Sequence, residues 1–246
     1  MTWSEGRILE RRDWAPGLFT LRVQAEIAPF EPGQFVNIGL RLEGELVFRA
    51  YSLASPPSQP LEFYVTEVQG GALTPRLCQL TPGESLLVEQ HPQGFFTLRY
   101  IPDAPELWLL ATGTGLGPFM SMLRSEEIWR RFGRLVLAHG VREAAQLSYR
   151  DELAELSAQH DGRLVWVPVV SRESAAGGAL HGRLTTTLTD GSLEQRAGVT
   201  LDPARSHVML CGNPAMIHDV TALLEERGLR KHRQRKPGHI SIEKYW

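Results

Sequence analysis

In the first hundred residues, apolar and polar positions alternate in short runs that glycines and prolines separate. In one of these runs Leu61, Phe63 and Val65 share one face. Glu62 and Tyr64 lie on the other face, which is the period of two expected of a strand with one buried side. Similar runs occupy residues 18–26, 31–40, 45–55, 61–68 and 84–90. Their close spacing predicts an antiparallel β-barrel or sandwich.

Beyond residue 105 the pattern changes to apolar runs that alternate with amphipathic ones. The strand-like runs are residues 107–113, 134–140, 164–170 and 207–212, and the helical runs are residues 118–132, 149–159 and 215–228. Almost uniformly apolar strands that alternate with helices are typical of a doubly wound parallel sheet. We therefore predict two domains, an all-β domain at residues 1–102 and an α/β domain at residues 103–246.

Composition and charge narrow the class of protein. The 246 residues are 42% hydrophobic and 22% charged, with a net charge of -2, as in an ordinary globular protein without a nucleic-acid partner. The sequence has neither a signal-peptide pattern nor a run of the roughly 18 apolar residues that a membrane span requires, so we expect a cytoplasmic protein without a membrane partner. Cys78 and Cys211 alone are too few for a disulfide framework or a metal site, and we predict no bound metal.

A glycine-rich loop follows the first strand of the second half. Gly113, Gly115 and Gly117 come directly after the apolar run, and Pro118 occupies a first-turn position of the next helix. Glycines allow backbone amides to approach a phosphate at a helix N-terminus. The spacing differs from the G-x-G-x-x-G fingerprint, so the loop alone leaves a purely structural turn open.

Arginines follow two further strands of the same predicted sheet. Arg142 and Arg172 come at carboxyl ends of strands, where ligands bind in open parallel sheets, and Arg183 follows a Gly-rich turn. Any single surface arginine is more often a solvated ion pair. As a set beside a glycine loop, with no acidic residue at the end of the next strand for a ribose, they favour a 2'-phosphate and hence NADP.

Two other features are open to more than one interpretation. Cys211 ends a strand, where its sulfur either faces a cofactor or fills space in the core. The basic run at residues 230–239 is either a solvated face or a surface for an acidic partner. Because the rest of the chain is not basic, we favour an acidic protein over nucleic acid.

Five motifs stand in order along nearly the whole chain. They are RAYS (49–52), ATGTGLGP (111–118), VSRE (170–173), CGNP (211–214) and KPGHISIEKYW (236–246). Together they resemble the bacterial ferredoxin-NADP+ reductase (flavodoxin reductase) family. The resemblance implies an FAD-binding β-barrel followed by an NADP-binding α/β domain.

The resemblance also implies roles for residues of the first domain. Arg49 contacts the FAD pyrophosphate, Tyr51 packs on the flavin ring, and the Ser52 hydroxyl approaches flavin N5. The side chains that line the flavin and the turn that meets its phosphates complete the implied FAD set. That set is Arg49, Ala50, Tyr51, Ser52, Tyr64, Val65, Thr66, Glu67, Ala72, Leu73 and Thr74.

In the second domain the resemblance implies a glycine loop near both cofactors and a set of NADP contacts. The implied positions are Thr114, Val141, Arg142, Ser171, Arg172, Arg183, Cys211, Gly212 and Asn213. The terminal Tyr245 and Trp246 match a subclass whose aromatic tail stacks on the isoalloxazine and the adenine. The resemblance makes Ser52, Cys211 and Tyr245 the catalytic residues. An extra residue in the turn before Arg183 makes its position the least defined.

The expected activity is electron transfer between NADPH and ferredoxin or flavodoxin by hydride transfer to FAD N5, in a monomer. Arg233, Arg235 and Lys236 are candidates for steering the acidic carrier. Two alternatives remain. One is the NADPH-dependent reductase component of an oxygenase or of free flavin, and the other is a non-catalytic FAD-binding relay or regulatory subunit.

Overall fold

The computed structural model describes residues 1–57, 60–174 and 177–244. The chain divides into two compact units. The first unit contains Met1–Thr97 together with Gly117–Ser125, and the second contains Leu98–Leu116 together with the chain from Glu126 onward. The extents of the two functional domains, residues 1–102 and 103–246, stay a prediction.

The first unit is built on one antiparallel sheet of six strands. The strands are β1 (Trp3–Ala15), β2 (Leu18–Gln24), β3 (Phe35–Leu42), β4 (Glu45–Ser52), β5 (Leu61–Thr66) and β6 (Ser85–Glu89), in the order β4-β3-β6-β1-β2-β5. An antiparallel bridge between Leu53 and Phe63 joins the two edges, so the sheet closes into a barrel. A short helix, α1 (Thr74–Leu77), follows β5. The predicted antiparallel barrel is confirmed.

The longest strand was missing from the sequence prediction. In β1 only Gly6 and Ile8 are buried, and the other eleven of its thirteen residues are exposed or half-buried. A strand with two buried positions shows no apolar alternation along its length. Pairing with β2 and β6 rather than hydrophobic patterning holds it in the sheet.

The strand β5 differs from the prediction of one buried face. Glu62 and Tyr64 are 8% and 4% exposed, so both faces of the strand are covered. Helix α2 (Gly117–Leu123) belongs to this unit, and Arg124 directly after it forms an ion pair with Glu62 at 2.9 Å. The Ser121 hydroxyl also donates to the Ser55 carbonyl at 2.7 Å. A segment far away in sequence therefore buries the polar face.

The second unit is a parallel sheet of six strands. The strands are β7 (Glu106–Thr112), β8 (Arg134–Val141), β9 (Leu164–Val170), β10 (Leu180–His181), β11 (Ser206–Gly212) and β12 (Ile240–Lys244). Their order is β10-β9-β8-β7-β11-β12, and every neighbouring pair is parallel. From β7 the chain adds β8, β9 and β10 in turn on one side. It then returns to place β11 and β12 on the other side of β7. The topological switch point, where ligands bind in such sheets, lies between β7 and β11.

Five helices accompany this sheet. They are α3 (Glu126–Arg131), α4 (Arg150–Gln159), α5 (Leu184–Thr189), α6 (Ser192–Ala197) and α7 (Pro214–Glu226). The parallel α/β fold is confirmed, while the single helical run expected at residues 118–132 is two helices that belong to different units. Helices α5 and α6 were not predicted. Within the described residues, no helix is long and apolar enough to cross a membrane.

Candidate functional site

Two loops at the switch point of the parallel sheet are tied together. After β7, residues Gly113–Leu116 form a 3₁₀ turn, and the segment after β11 begins at Asn213. The Asn213 amide donates to the Thr112 hydroxyl oxygen at 2.9 Å. Asn213 also caps helix α7, because its side-chain oxygen accepts from the Ala215 amide at 2.8 Å. The glycine loop and the CGNP segment therefore form one structural unit.

Close packing explains two of the glycines in this pair of loops. A Cβ atom at Gly115 would overlap the carbonyl group of Cys211, and one at Gly212 would overlap the Thr112 hydroxyl. Gly212 also has φ of +132°, which residues with a side chain rarely adopt. The structure thus gives these glycines a packing reason in addition to any approach of phosphate.

His139 lies beneath the glycine loop. It is fully buried at the end of β8, and its Nε2 lies 3.0 Å from the Gly113 carbonyl oxygen. Burial lowers the pKa of His139 to about 4, so the ring is neutral near pH 7 and Nε2–H donates to this carbonyl. Because the C=O and N–H of a trans peptide point in opposite directions, the Thr114 amide points away from His139. Thr114 itself is half-buried in the turn.

Cys211 and Glu243 lie opposite each other on the neighbouring strands β11 and β12. Cys211 is fully buried. The Glu243 Oε2 atom is also buried, and it has no hydrogen-bond partner among the described residues. Burial raises the pKa of Glu243 to about 7, so this carboxyl can hold a proton at neutral pH. Sequence reasoning missed Glu243 although it lies inside the KPGHISIEKYW motif, because the sequence does not show that its carboxyl is buried.

The candidate arginines follow the carboxyl ends of β8, β9 and β10. The Arg172 amide donates to the Arg142 carbonyl at 2.9 Å, and the Ser171 hydroxyl donates to the Val141 carbonyl at 3.2 Å. Arg183 precedes helix α5, three residues after β10 begins. The parallel sheet thus aligns the loops that carry these residues.

The side chains of Arg142, Arg172 and Arg183 are exposed. None of the three guanidinium groups makes a hydrogen bond or an ion pair with any residue in the described part of the chain. The interpretation as ordinary surface ion pairs therefore finds no support. Unpaired guanidinium groups on adjacent loops fit an anionic group such as a phosphate.

The FAD candidates of the barrel are grouped at the end of β4 and along β5. The Leu53–Phe63 bridge is antiparallel, which sets Ser52 beside Tyr64. Ser52, Tyr64 and Val65 are buried. Tyr51 is half-buried against the barrel core, and burial raises its pKa to about 12, so the hydroxyl stays protonated.

Arg49 and Ala50 are the exposed members of the β4 group. The Arg49 guanidinium donates to the Phe48 carbonyl at 2.7 Å, while most of its donors face solvent. Thr66 and Glu67 are half-buried at the end of β5. An exposed guanidinium beside a half-buried aromatic ring suits a ligand that has a phosphate and a flat heterocycle.

The turn after β5 presents three consecutive backbone amides. The Thr74 hydroxyl accepts from the Val68 amide at 2.8 Å, and the Gly71 amide donates to the Val68 carbonyl at 2.9 Å, which fixes the turn. The amides of Ala72, Leu73 and Thr74 donate to no acceptor among the described residues. The Leu73 side chain packs in the barrel core, so only its backbone is available. Such amides can bind phosphate oxygens.

Tyr245 and Trp246 lie outside the described residues. Their implied stacking on the cofactors stays a prediction. The strand β12 that leads to them is parallel to β11 and carries Glu243 opposite Cys211.

Comparisons with known proteins agree with this arrangement. A model of the oxidoreductase FAD-binding domain matches residues 11–97, and one of the oxidoreductase NAD-binding domain matches residues 109–222. The chain is 45% identical over 246 residues to the flavodoxin/ferredoxin–NADP reductase of Shigella flexneri, with 99% of both chains covered. It is 44% identical, over the same length and coverage, to the flavodoxin/ferredoxin–NADP reductase of Escherichia coli strain K12. The chain belongs to the flavodoxin/ferredoxin–NADP reductase family.

The fold of this reductase family member is also similar to that of a solved structure. A ferredoxin NADP+ reductase from Neisseria gonorrhoeae with bound FAD and NADP matches with a TM-score of 0.93 at 32% identity, over 99% of both chains. These findings confirm the predicted family, the FAD- and NAD-binding oxidoreductase domains and the FAD-dependent enzyme class. The roles of individual residues stay predictions.

Sequence reasoning missed several residues that shape the reductase site. Thr112, His139, Glu173 and Glu243 act through contacts that join distant segments of the chain. Thr112, Glu173 and Glu243 lie inside the ATGTGLGP, VSRE and KPGHISIEKYW motifs, which was the only local signal for them. Their neighbours, and those of His139, are visible only once the sheet is assembled.

Proposed function

We propose that this chain transfers electrons between NADPH and a one-electron carrier, ferredoxin or flavodoxin, through bound FAD. When bound, FAD supplies the exchange between a two-electron hydride donor and one-electron acceptors. The observation that carries the proposal is the set of three unpaired arginines on the loops after β8, β9 and β10. A relay subunit that never meets NADPH has no use for such a set.

The chain's own residues supply binding and orientation. Arg49 and the amides of residues 72–74 bind the FAD phosphates, and Tyr51 packs on the flavin ring. The Ser52 hydroxyl approaches flavin N5, while Arg142, Arg172 and Arg183 bind the 2'-phosphate of NADPH. Side chains and amides held in place before binding need no reorganisation during the reaction.

The proposal extends to residues near the reacting rings. Cys211 borders the nicotinamide, and its fully buried position limits the access of water. Beside it, burial raises the pKa of Glu243 to about 7, so that its carboxyl can hold a proton at neutral pH. Tyr245 covers the flavin until the nicotinamide arrives, a role that stays a prediction because this residue lies outside the described part of the chain.

Purified protein tests this function directly. We expect a flavin absorption spectrum after incubation with FAD and removal of excess cofactor, and dye reduction that is much faster with NADPH than with NADH. A protein that retains no FAD would disprove the cofactor assignment. Equal rates with both nucleotides would disprove the role of the arginines.

The basic segment at residues 230–236 is the proposed surface for the acidic carrier. Arg233, Arg235 and Lys236 are exposed, and none of them forms an ion pair with a described residue. Replacing all three by Gln should slow reduction of ferredoxin or flavodoxin several-fold at low salt and leave dye reduction unchanged. The difference should vanish at high salt because exposed charges are screened. A loss that salt does not change would contradict steering.

A monomeric state and a cytoplasmic location are further parts of the proposal. Size-exclusion chromatography with light scattering tests the first, and cell fractionation tests the second.

A further inference from the structure

Glu173 contacts the segments that carry all three candidate arginines. It directly follows Arg172 in the chain. Its carboxylate Oε2 accepts a hydrogen bond from the Ala144 amide at 2.9 Å, two residues after Arg142. Its carbonyl oxygen lies 2.7 Å from Nδ1 of His181, two residues before Arg183. The only hydrogen-bonding group at Nδ1 that can meet a carbonyl oxygen is N–H, so His181 is the donor.

The Arg142 loop has a second support of its own. The Gln146 side-chain oxygen accepts from the Arg142 amide at 3.1 Å and from the Glu143 amide at 3.2 Å. The loop is therefore a rigid turn, and the Glu173 carboxylate attaches that turn to the loop after β9. Without this attachment, the backbone bond between Arg172 and Arg142 is the remaining hydrogen bond from the 172–173 segment to the Arg142 loop among the described residues.

We propose that Glu173 is a positioning residue that sets the spacing of the three arginines and thereby the preference for NADPH over NADH. This inference rests on the proposed function, because it needs the arginines to bind a 2'-phosphate. Glu173 is exposed and acts through its neighbours, so its replacement leaves the core of the unit intact.

An electrostatic role and a positioning role of Glu173 predict opposite results for its substitutions. A carboxylate near three arginines repels a phosphate, so a purely electrostatic role means that removing its charge strengthens binding of the 2'-phosphate. A positioning role requires the acceptor oxygen to reach the Ala144 amide whether or not it is charged. Glu173→Gln removes the charge and keeps the reach, whereas Glu173→Asp keeps the charge and shortens the reach by one methylene.

The experiment compares two nucleotide fragments on the FAD-loaded protein. Calorimetry gives the dissociation constants of 2',5'-ADP and of 5'-AMP, which differ by the 2'-phosphate. We expect Glu173→Asp to weaken 2',5'-ADP about tenfold, the effect of one lost charge-assisted hydrogen bond, and to change 5'-AMP by less than about twofold. Glu173→Gln should bind 2',5'-ADP as tightly as the unaltered protein or more tightly.

The same two exchanges at Glu155 are the matched control. Glu155 is an exposed glutamate on α4 whose side chain makes no hydrogen bond or ion pair with a described residue, and neither exchange there should change either constant. Ratios of kcat/KM for NADPH and NADH should follow the binding data. Unchanged 2',5'-ADP binding in Glu173→Asp, or weaker binding in Glu173→Gln than in Glu173→Asp, would overturn the inference. An unaltered protein that does not distinguish the two fragments would instead refute the 2'-phosphate site and the role that the proposed function gives to the three arginines.

Discussion

The candidate residues of the two units differ in how the fold holds them. In the barrel, Ser52, Tyr64 and Val65 are 6%, 4% and 0% exposed, and Tyr51 packs against the same core. In the parallel sheet, the candidate arginines are exposed and have no partner among the described residues. The barrel therefore presents a surface that packing has already shaped. The parallel sheet presents exposed charged groups that are available to bind a ligand.

This difference fits two kinds of ligand. A cofactor that remains bound gains from rigid, buried contacts, because little side-chain entropy is lost when it binds. A nucleotide that binds and leaves in every turnover gains from exposed arginines, which attract it through long-range charge. Loop spacing then matters more than core packing for its recognition, which is why Glu173 is the residue that we single out.

Gly212→Val is expected to have the largest effect. It should damage the parallel-sheet unit and leave the barrel intact. Its Cβ would overlap the Thr112 hydroxyl, and φ of +132° is unfavourable for valine. We expect the second unit to lose about 3 kcal/mol of unfolding free energy, with NADPH oxidation at least about 100-fold slower, while FAD binding by the barrel survives. Thermal unfolding, nucleotide titration and the flavin spectrum provide the measurements.

The control for this exchange is Gly191→Val in the same unit. Gly191 also has positive φ, of +77°, but nothing lies within 4 Å of a Cβ placed there. Gly191→Val therefore measures the cost of backbone strain without atomic overlap. Equal losses in the two variants would mean that the contact between the loops contributes nothing.

Arg172→Ala tests the exposed arginines of the parallel-sheet unit. Loss of a charge-assisted contact to the 2'-phosphate should reduce kcat/KM for NADPH about 30-fold and change that for NADH by less than about twofold. Arg130→Ala on α3 removes another exposed arginine without a partner among the described residues and should change neither value. A similar loss with both nucleotides would argue against a 2'-phosphate contact.

Buried carboxyl groups have partners in both units, and Glu243 is the exception. In the barrel, Glu62 pairs with Arg124, and Glu89 accepts from Asn37 at 2.6 Å. In the second unit, the buried Glu106 accepts from Arg205 at 3.0 Å, whereas the buried oxygen of Glu243 has no partner among the described residues. A buried carboxyl without a partner favours its protonated form, so its titration affects stability.

Glu243 should make the stability of the FAD-free protein depend on pH. Its pKa rises from 4.5 to about 7 on folding, so the native state binds more protons between these values and stability falls as the pH rises through them. Glu243→Gln should remove this loss, on the order of 2 kcal/mol at pH 8. The unfolding midpoint is measured from pH 4 to 8. An identical pH profile for both proteins would contradict burial as the cause, and the exposed Glu226 provides a control for the same exchange.

Tyr51 should have the smallest effect, because the barrel surface around it is preformed. Tyr51→Ala removes a ring that packs on the flavin and should weaken FAD about fivefold, whereas Tyr51→Phe keeps the ring and should bind FAD normally. Fluorescence titration of the FAD-free protein measures both constants. Equal weakening in both variants would show that the hydroxyl, rather than the ring, makes the contact.

Local patterns were sufficient for the fold class and for much of the candidate site. The apolar runs that became β7, β8, β9 and β11 are nearly uniform, because both faces of a parallel sheet are covered. Because all carboxyl ends of such strands lie on one edge, the glycine loop and two arginines could be grouped from the sequence. The order of motifs pointed to the family before any contact was known.

Other features depended on contacts between residues far apart in the chain. The Thr112–Asn213 bond spans 101 positions and the Arg124–Glu62 contact spans 62, so no local window contains both partners. The break between α2 and α3, the buried polar face of β5 and the contacts of Glu173 with two other loops are of the same kind. Sequence by itself determined which segments are strands and helices and which residues could bind phosphate. Only the tertiary structure decided which of these residues are buried, paired or free, because desolvation and hydrogen bonding depend on neighbours that folding brings together.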